Sequence, residues 1–284
     1  MTGERARRSS PTSRRYGPAA RFVALSAIAA TVLVPVYFTA LVAVLPVRYL
    51  FSYPPVLLPH NPHLDGFRAA LRDGFILHDM LNSLVVAVIV TVGQATTSAL
   101  ASYACVFLRF PGRRIVFWTI VASSVVPFEA VILGNYRTIV WLHWLDSYPA
   151  LTVPFLASGV GTFFLSRAFR SVPVELLGAA HIDGAGHMAV LRHVVVPIAR
   201  PSIAALGVLS FLGSWTQYFW PKLVVNENSR RTVQMGLAQL ASGSVSSANV
   251  LSAAAILLLV PVVLVLVLFQ RQLVAGLTAG LVER

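Results

Sequence analysis

The sequence predicts an all-α integral membrane protein in which six helices cross the bilayer. A short polar helical hairpin is expected between the fourth and the fifth of them. Three observations lead to this fold class: an apolar composition, six apolar blocks of roughly spanning length, and a one-sided distribution of arginine along the chain. Their combination also excludes several classes of function.

The composition requires lipid as part of the solvent. Mean hydropathy is +0.75, 57% of the residues are apolar and only 11% are charged. Soluble globular domains carry about 25% charged residues, so a soluble domain is excluded.

Six apolar blocks are candidates for membrane spans. Backbone groups in hydrocarbon must be hydrogen-bonded internally, so each block is predicted to be a helix. A span needs about 20 mostly apolar residues, which makes the third and fifth blocks the weakest candidates. The predicted spans are residues 22–45, 84–107, 115–133, 151–169, 203–220 and 248–269.

The basic residues predict the orientation of these spans. With the N-terminus inside, fifteen of the 22 lysines and arginines fall in inner segments and seven in outer ones. The acids divide about evenly, so the bias follows the positive-inside rule and places both termini in the cytoplasm. The net charge of +12 is then mainly topological. No basic face interleaved with aromatic residues is present, so nucleic acid is not expected as a partner.

The same pattern divides the chain into three parts. Residues 1–21 are rich in Arg, Ser and Pro and are predicted to be a disordered cytoplasmic N-terminus. The apolar run behind them is too long for the core of a cleaved signal, so it is interpreted as the first span. Residues 22–270 form the transmembrane domain, and residues 271–284 form a cytoplasmic tail.

The second span is predicted to be a central packing helix, because small residues let helices approach closely in lipid. Its small and hydroxyl-bearing residues are Gly93, Ala95, Thr96, Thr97, Ser98, Ala99, Ala101 and Ser102.

Residues 172–201 form a polar segment between two apolar blocks. Helices are predicted over 174–182 and 187–196, joined by a tight corner at 183–186 that contains two glycines. Pro173 suits the start of the first helix, and Glu175 faces the positive end of its dipole. An ordered hairpin outside the bilayer indicates a docking surface, and the alternative is an ordinary loop with chance glycines.

Glu129 is the one acid that the spans place inside the bilayer, and a carboxylate there is a functional hypothesis by default. It is expected to face a water-filled path and contact solute hydroxyls or a cation. The alternatives are a structural partner for a polar neighbour, or a position near the outer mouth. Asn135 and Tyr136 follow at the rim of the same path, where Arg137 could hold an anionic group.

The end of the fifth span carries polar and aromatic residues together. Trp215, Gln217 and Tyr218 could line the path, because aromatic faces with amide and phenol groups suit a sugar or a polyol. The alternative is an aromatic girdle at the outer interface, which fits Trp220 equally well.

The 172–201 segment resembles the cytoplasmic coupling loop, the EAA loop, of permease subunits of binding-protein-dependent ABC importers. Gly178 departs from that pattern, because it stands where the family has an acid, and Glu175 one turn earlier could serve instead. The matching residues are Pro173, Glu175, Leu176, Ala179, Ala180, Asp183, Gly184, Ala185, Val194, Pro197 and Pro201. The resemblance implies contact with an ATPase through Glu175, Gly178, Ala179, Ala180, Asp183, Gly184, Ala185 and Pro197.

Two further stretches are similar to the carbohydrate-uptake branch of that family. Residues 215–221 resemble its W-N-x-(F/Y)-x-W-P string, with Thr216 replacing Asn. Residues 276–280 resemble the G-L-T-x-G ending of the maltose-type second permease, which implies contact of the tail with the ATPase dimer. The resemblance implies alternating-access import, across a bacterial plasma membrane, of a sugar, an oligosaccharide or a polyol phosphate such as glycerol-3-phosphate or its diesters. It also implies three kinds of protein partner: a second homologous permease, a dimer of ATP-binding subunits, and an extracytoplasmic solute-binding protein.

The absence of catalytic motifs makes an enzyme a less favoured interpretation than a transport subunit. The sequence has no phosphate-binding G-x-x-x-x-G-K-[ST] loop and no hydrolase motif, so ATP and Mg are assigned to a partner chain and no cofactor to this one. His181, His187 and His193 recur at spacings of six, which does not predict a metal site. A proton-coupled secondary transporter that uses Glu129 is the alternative function. A membrane enzyme and an insertion or scaffolding role are weaker alternatives.

Overall fold

The computed structural model describes residues 18–50, 52–59, 61–72, 75–242 and 248–278. Every regular element within those ranges is helical, which confirms the predicted all-α class. The α-helices, in chain order, are α1 (Pro18–Val44), α2 (Asp65–Arg72), α3 (Phe75–Phe107), α4 (Arg113–Ser123), α5 (Phe128–Trp141), α6 (Tyr148–Thr152), α7 (Gly159–Arg170), α8 (Val174–Ile182), α9 (His187–Val190), α10 (Val196–Ile198), α11 (Arg200–Trp215), α12 (Phe219–Val224), α13 (Val233–Ala241) and α14 (Ala248–Thr278).

Three of these helices, α1, α3 and α14, are each long and apolar enough to cross a bilayer. Three helix pairs reach the same threshold together but are bent: α4–α5 by 95°, α6–α7 by 48°, and the α9–α10 segment against α11 by 81°. The described part of the chain therefore offers between three and six spans. The first, second and last predicted spans are continuous helices.

The third, fourth and fifth predicted spans are not single helices, which corrects the sequence prediction. The fourth is divided into α6 and α7, which meet at a bend of 48°. The third is broken between Ser123 and Phe128, where Pro127 adopts an extended conformation and caps α5. A proline has no N–H to continue the helix before it, so the break falls there. The fifth ends at Trp215, and Trp220 belongs to the separate helix α12.

Two boundaries also differ from prediction. Helix α3 begins at Phe75, nine residues before the predicted start, because its first polar turns are bonded to a distant segment of the chain. Helix α14 continues to Thr278, past the predicted boundary at 270, and packs against α11: a Cβ on Gly276 would lie 2.5 Å from the Pro201 carbonyl oxygen. Residues 1–17 and 279–284, which hold most of the predicted disordered N-terminus and the end of the predicted tail, lie outside the described residues.

Helix α3 is the centre of the bundle, as its small residues predict. It packs against α7 on one side and α11 on the other, and α11 packs in turn against α14. The approach to the α6–α7 break is close, because a Cβ on Gly93 would lie 2.4 Å from Leu156 Cδ2. Helix α1 packs mainly against α14 and leaves the side chains of its first half exposed.

The apolar core is divided between the two ends of the bundle. At the end that carries α8, here called the α8 end, Leu165, Phe169 and Val195 are buried in one cluster. At the opposite end, called the α13 end, Trp215 and Val233 lie in a second cluster, and Trp220 lies in a third.

Candidate functional site

The predicted helix 174–182 is present with the predicted bounds and forms α8. Pro173 is its N-cap and Glu175 lies in its first turn. The second predicted piece, 187–196, is helical throughout, but residues Leu191–Val195 are wound as a π-helix between α9 and α10. Pro197 follows directly, and a proline removes one helical hydrogen bond and crowds the carbonyl four residues earlier, which favours such a local widening.

The corner between the two helices is a Schellman motif, in which two backbone N–H groups close the end of a helix. The Ala185 N–H donates to the Ala180 carbonyl at 2.9 Å, and the Gly184 N–H donates to the His181 carbonyl at 3.1 Å. Gly184 has φ +76°, a conformation that favours glycine, whereas Gly186 has φ −70° and is not required for the turn. Only one of the two predicted corner glycines therefore shapes the corner.

One face of this corner is anchored to the bundle. Leu177, Ala180 and Ala185 pack against a cluster that the ends of α3 and α7 form together with residues 190–199 and Leu206. The Tyr103 hydroxyl lies 3.2 Å from His187 Nδ1, so the start of α9 is also tied to α3. The corner is thus held in place by apolar contact and one side-chain bond.

The other face of α8 is open. None of its residues is buried, and Ile182 is 88% exposed. A Cβ at Gly178 would meet no atom within 4 Å, so the position of the missing acid is an open spot on this face. Most of the residues that the resemblance assigns to coupling are exposed: Glu175, Gly178, Ala179, Asp183 and Gly184. Ala180 and Ala185 are half-buried, and so is Pro197 in α10.

Glu129 lies in the first turn of α5, immediately after the break in the α4–α5 pair. Its side chain is exposed, and a carboxylate at a helix N-terminus is favoured by the helix dipole. No hydrogen-bond or ion-pair partner reaches it from the part of the chain that the structure describes. Asn135 and Tyr136, further along α5, are half-buried, and Tyr136 packs against the cluster that contains Trp220. Arg137 beside them is exposed.

The residues predicted at the end of α11 divide into a buried one and two accessible ones. The Trp215 ring is buried and stacked on Phe211 with ring centres 5.7 Å apart, so in this conformation it belongs to the core. Gln217 is half-buried, and Tyr218 is 40% exposed. Tyr218 lines an open cleft of about 500 Å³ together with residues of α1, α13 and α14, among them Gln234.

Sequence reasoning missed a polar belt across the middle of the bundle. The Gln94 side chain of α3 donates to the Phe155 carbonyl at 2.9 Å and accepts from the Ser210 hydroxyl of α11 at 2.7 Å. The Thr97 hydroxyl donates to the Leu156 carbonyl at 2.7 Å. These bonds satisfy carbonyls that the α6–α7 break leaves without helical partners, which is a requirement in lipid. The hydroxyl-rich run of the second span was the available signal.

A second missed set lies at the α13 end. Asp79 of α3 is buried and bonded to Arg231, with Oδ2 and Nε 2.8 Å apart. Arg231 is one of the seven basic residues counted above in the outer segments, and no role was predicted for Asp79. The only signal in the sequence for Asp79 was its position just before an apolar block. Nothing in the sequence indicates that Arg231 is the partner of Asp79.

These features define a class: a helical membrane protein with broken helices around one central helix and an exposed helical corner at one end. The chain matches the family described as binding-protein-dependent transport system inner membrane component over residues 10–278, and it belongs to that family. It is therefore a permease subunit of an ABC importer.

The relatives agree with this assignment. The sn-glycerol-3-phosphate transport system permease protein UgpE of Brucella abortus (strain 2308) is 36% identical over 252 residues, which cover 86% of this chain and 89% of the relative. The protein of the same name from Yersinia pestis bv. Antiqua (strain Antiqua) is 37% identical over 255 residues, covering 87% and 90%. A chain from the crystal structure of a bacterial ABC transporter involved in the import of the acidic polysaccharide alginate aligns with a TM-score of 0.79 at 20% identity, over 91% of this chain and 99% of that one. This last likeness shows the fold.

Proposed function

We propose that this permease subunit imports a polyol phosphate such as glycerol-3-phosphate, or a related sugar, by ATP-driven alternating access. Six spans cross the plasma membrane, with the bent pairs counted as single spans and both termini in the cytoplasm. The α8 corner then faces the cytoplasm and contacts a dimer of ATP-binding subunits. A second, homologous permease and an extracytoplasmic solute-binding protein complete the assembly.

The open face of α8 is the observation that carries the coupling role. A nine-residue helix with no buried residue gains little from its own chain, yet its corner is closed by a Schellman motif and anchored through Leu177 and Ala180. Exposed apolar side chains such as Ile182 on an ordered helix are typical of an interface. A push on this face would pass through the anchored side to the ends of α3 and α7, which suits a rigid lever.

ATP and Mg are assigned to the partner subunits in this proposal. The chain contains no glycine-rich phosphate loop, and its single lysine, Lys222, lies in α12 at the opposite end of the bundle from α8. This chain then supplies the path and the mechanical contact, and the partner supplies the hydrolysis.

The choice of solute is supported by the relatives named for glycerol-3-phosphate transport and by the cleft beside Tyr218. A phenol ring and the Gln234 amide offer stacking and hydrogen bonds to a polyol. Glu129 lies at a break between half-helices, and transporters bind solutes at such breaks. Glu129, Asn135, Tyr136, Gln217 and Tyr218 remain the proposed path residues, whereas Trp215 is buried against Phe211.

Substitution of Gly178 tests the docking of the ATPase. A Cβ at this position would meet no atom of another part of the described chain within 4 Å. Gly178→Trp should therefore leave the thermal stability of the isolated chain unchanged and abolish co-purification of the ATP-binding subunits. Gly178→Ala is the matched control and should retain the complex. Gly178→Glu, which restores the family's acid, should retain or strengthen it. Wild-type co-purification with the tryptophan variant would refute docking through this face.

Glu129 distinguishes the importer from a secondary transporter. It is exposed beside a break in a candidate span, which is where a proton-coupling carboxylate would also be useful. In vesicles that contain the complex, Glu129→Gln should slow uptake while uptake still requires ATP. Uptake driven by a proton gradient without ATP, and lost in the same variant, would favour the secondary transporter.

A further inference from the structure

A buried ion pair joins the central helix to a segment 152 positions later in the chain. Arg231 Nε donates to Asp79 Oδ2 at 2.8 Å, and the two side chains are 9% and 1% exposed. The guanidinium also donates through Nη1 to the side chains of Asn228 and Gln239. One arginine therefore links α3, the turn before α13 and α13 itself.

The backbone around Arg231 is bonded to α3 as well. The Asn82 amide donates to the Ser229 carbonyl at 3.1 Å and to the Arg231 carbonyl at 2.9 Å. The Val233 N–H donates to the Ser83 hydroxyl at 2.9 Å. We call residues 226–241, which these bonds fix on α3, the strap.

The strap and α3 are in close contact at the pair itself. A Cβ on Gly236 would lie 2.2 Å from Asp79 Oδ2, so α13 passes the carboxylate at a distance that a side chain on residue 236 would prevent. Asp79 Oδ1 is buried, and no hydrogen-bond donor reaches it from the part of the chain that the structure describes. Burying the pair removes both charges from water and leaves one carboxylate oxygen unsatisfied, and both effects cost free energy. A protein with apolar residues of similar volume at such positions is often as stable as one with the ion pair, so this pair is a poor source of net stability.

The geometry points to a different role. We infer that the Asp79–Arg231 pair is a latch that holds the strap in a single register on α3, so that strap and central helix move as one body. In the proposed function, on which this role rests, the latch would transmit movement of the exposed strap tip, residues 226–229, to the helix at the centre of the bundle. Asp79 and Arg231 are positioning residues in this scheme and do not contact the solute.

Hydrogen exchange of the strap amides in the complex, reconstituted in lipid nanodiscs, tests the latch. Arg231→Met leaves a buried carboxylate unpaired and should speed exchange over residues 226–241 by about tenfold or more, with exchange in α7 unchanged. Arg231→Lys keeps the charge but not the fork of donors and should give an intermediate rate. Arg230→Met is the matched control: it removes a guanidinium that lies 4.5 Å from the centre of the Tyr148 ring and leaves the Asp79–Arg231 pair in place, so strap exchange should rise far less than in Arg231→Met. Wild-type exchange in the Arg231→Met variant would overturn the latch.

The double variant Asp79→Leu/Arg231→Met separates a latch from a merely stabilising contact. We expect its thermal unfolding to return to the wild-type midpoint while strap exchange stays fast, because an apolar pair does not specify a register. Recovery of both properties would refute the positioning role. Uptake is measured in parallel on the wild-type complex: if the exchange results hold but no ATP-dependent uptake is found, the latch stands and the proposed function fails.

Discussion

The two ends of this molecule satisfy their polar groups in opposite ways. At the α13 end, Asp79, Asn82 and Arg231 are buried and bonded within the chain. At the α8 end, Glu175 and Asp183 are exposed, in the first turn and at the C-cap of a helix without a buried residue. Both ends are well-formed helical structure, so the difference is one of burial and not of order.

This difference indicates which contacts the chain completes alone. A buried polar network must be closed by its own partners, because unpaired polar groups inside a protein are costly. An exposed helix incurs no such cost and keeps its apolar side chains available to another subunit. We therefore expect substitutions at the α13 end to act on the isolated chain, and substitutions on the open face of α8 to act only on the assembled complex.

The largest effect on the isolated chain is expected at Trp220. Its indole is fully buried, and its Nε1 donates to the Ala150 carbonyl at 2.8 Å. Trp220→Ala should lower the free energy of unfolding by about 3–5 kcal/mol, measured by denaturant titration in detergent. Trp141, which is 77% exposed, is the matched control. Trp141→Ala should change the free energy of unfolding by less than about 0.5 kcal/mol. Equal effects at the two positions would contradict the assignment of Trp220, and not Trp141, to the buried core.

A smaller effect is expected at the α8 corner. Because Gly184 has φ +76°, Gly184→Ala should strain the Schellman motif by about 1–2 kcal/mol. The strain should appear as faster hydrogen exchange at the amides of residues 184 and 185. Co-purification of the ATP-binding subunits should be reduced in the same variant. Gly186→Ala serves as the control, because Gly186 has φ −70° and open space around it. If the two alanine variants behave alike, the corner does not depend on the left-handed glycine.

The smallest effect is a pH dependence at the tip of the strap. Asp146 Oδ1 accepts the backbone N–H groups of Asn226 and Glu227 at 2.5 and 2.8 Å. Burial raises the pKa of Asp146, but these hydrogen bonds outweigh it and hold the pKa below the ordinary value of 3.8. A lowered pKa means that the ionised form stabilises the fold above pH 3.8 and that this contribution is lost as the pH falls below it.

Below that pH the hydrogen bonds from the Asn226 and Glu227 amides to Asp146 should open more often. The exchange rates of these two amides should therefore rise by more than the intrinsic pH dependence of exchange predicts. Asp146→Asn should remove that pH step. Asp65→Asn, at an exposed carboxylate 3.5 Å from Arg68, should leave it in place. A step that persists without the Asp146 carboxylate would assign it to another group.

Much of the α8 end could be predicted because its signals are local. Pro173, Glu175 and Gly184 lie within a dozen residues of one another and mark the start, the first turn and the end of α8. The apolar blocks of α1 and α14 are equally local. The break before Phe128 was missed although Pro127 marks it, because hydropathy averaged over a window does not register a bend.

The α13 end could not be predicted in the same way. Asp79 and Arg231 carry no local sign that they are paired, and Asp79 lowers the hydropathy of the turn that α3 nonetheless includes. Trp220 could be assigned to an interfacial girdle as readily as to the core. Only the packing of α12 against α3, α5, α6 and the turn that follows α6 decides that it is buried.

The amino-acid order by itself determined the helical class, the run of apolar segments and the exposed corner at α8, because each follows from neighbours within a few turns. The tertiary structure alone decided where spans bend, which carbonyls Gln94 and Thr97 serve, and which acid Arg231 binds. The physical reason is that a hydrogen bond or an ion pair inside the bundle is selected by whichever groups folding brings within about 3 Å, and their separation along the chain does not constrain that choice.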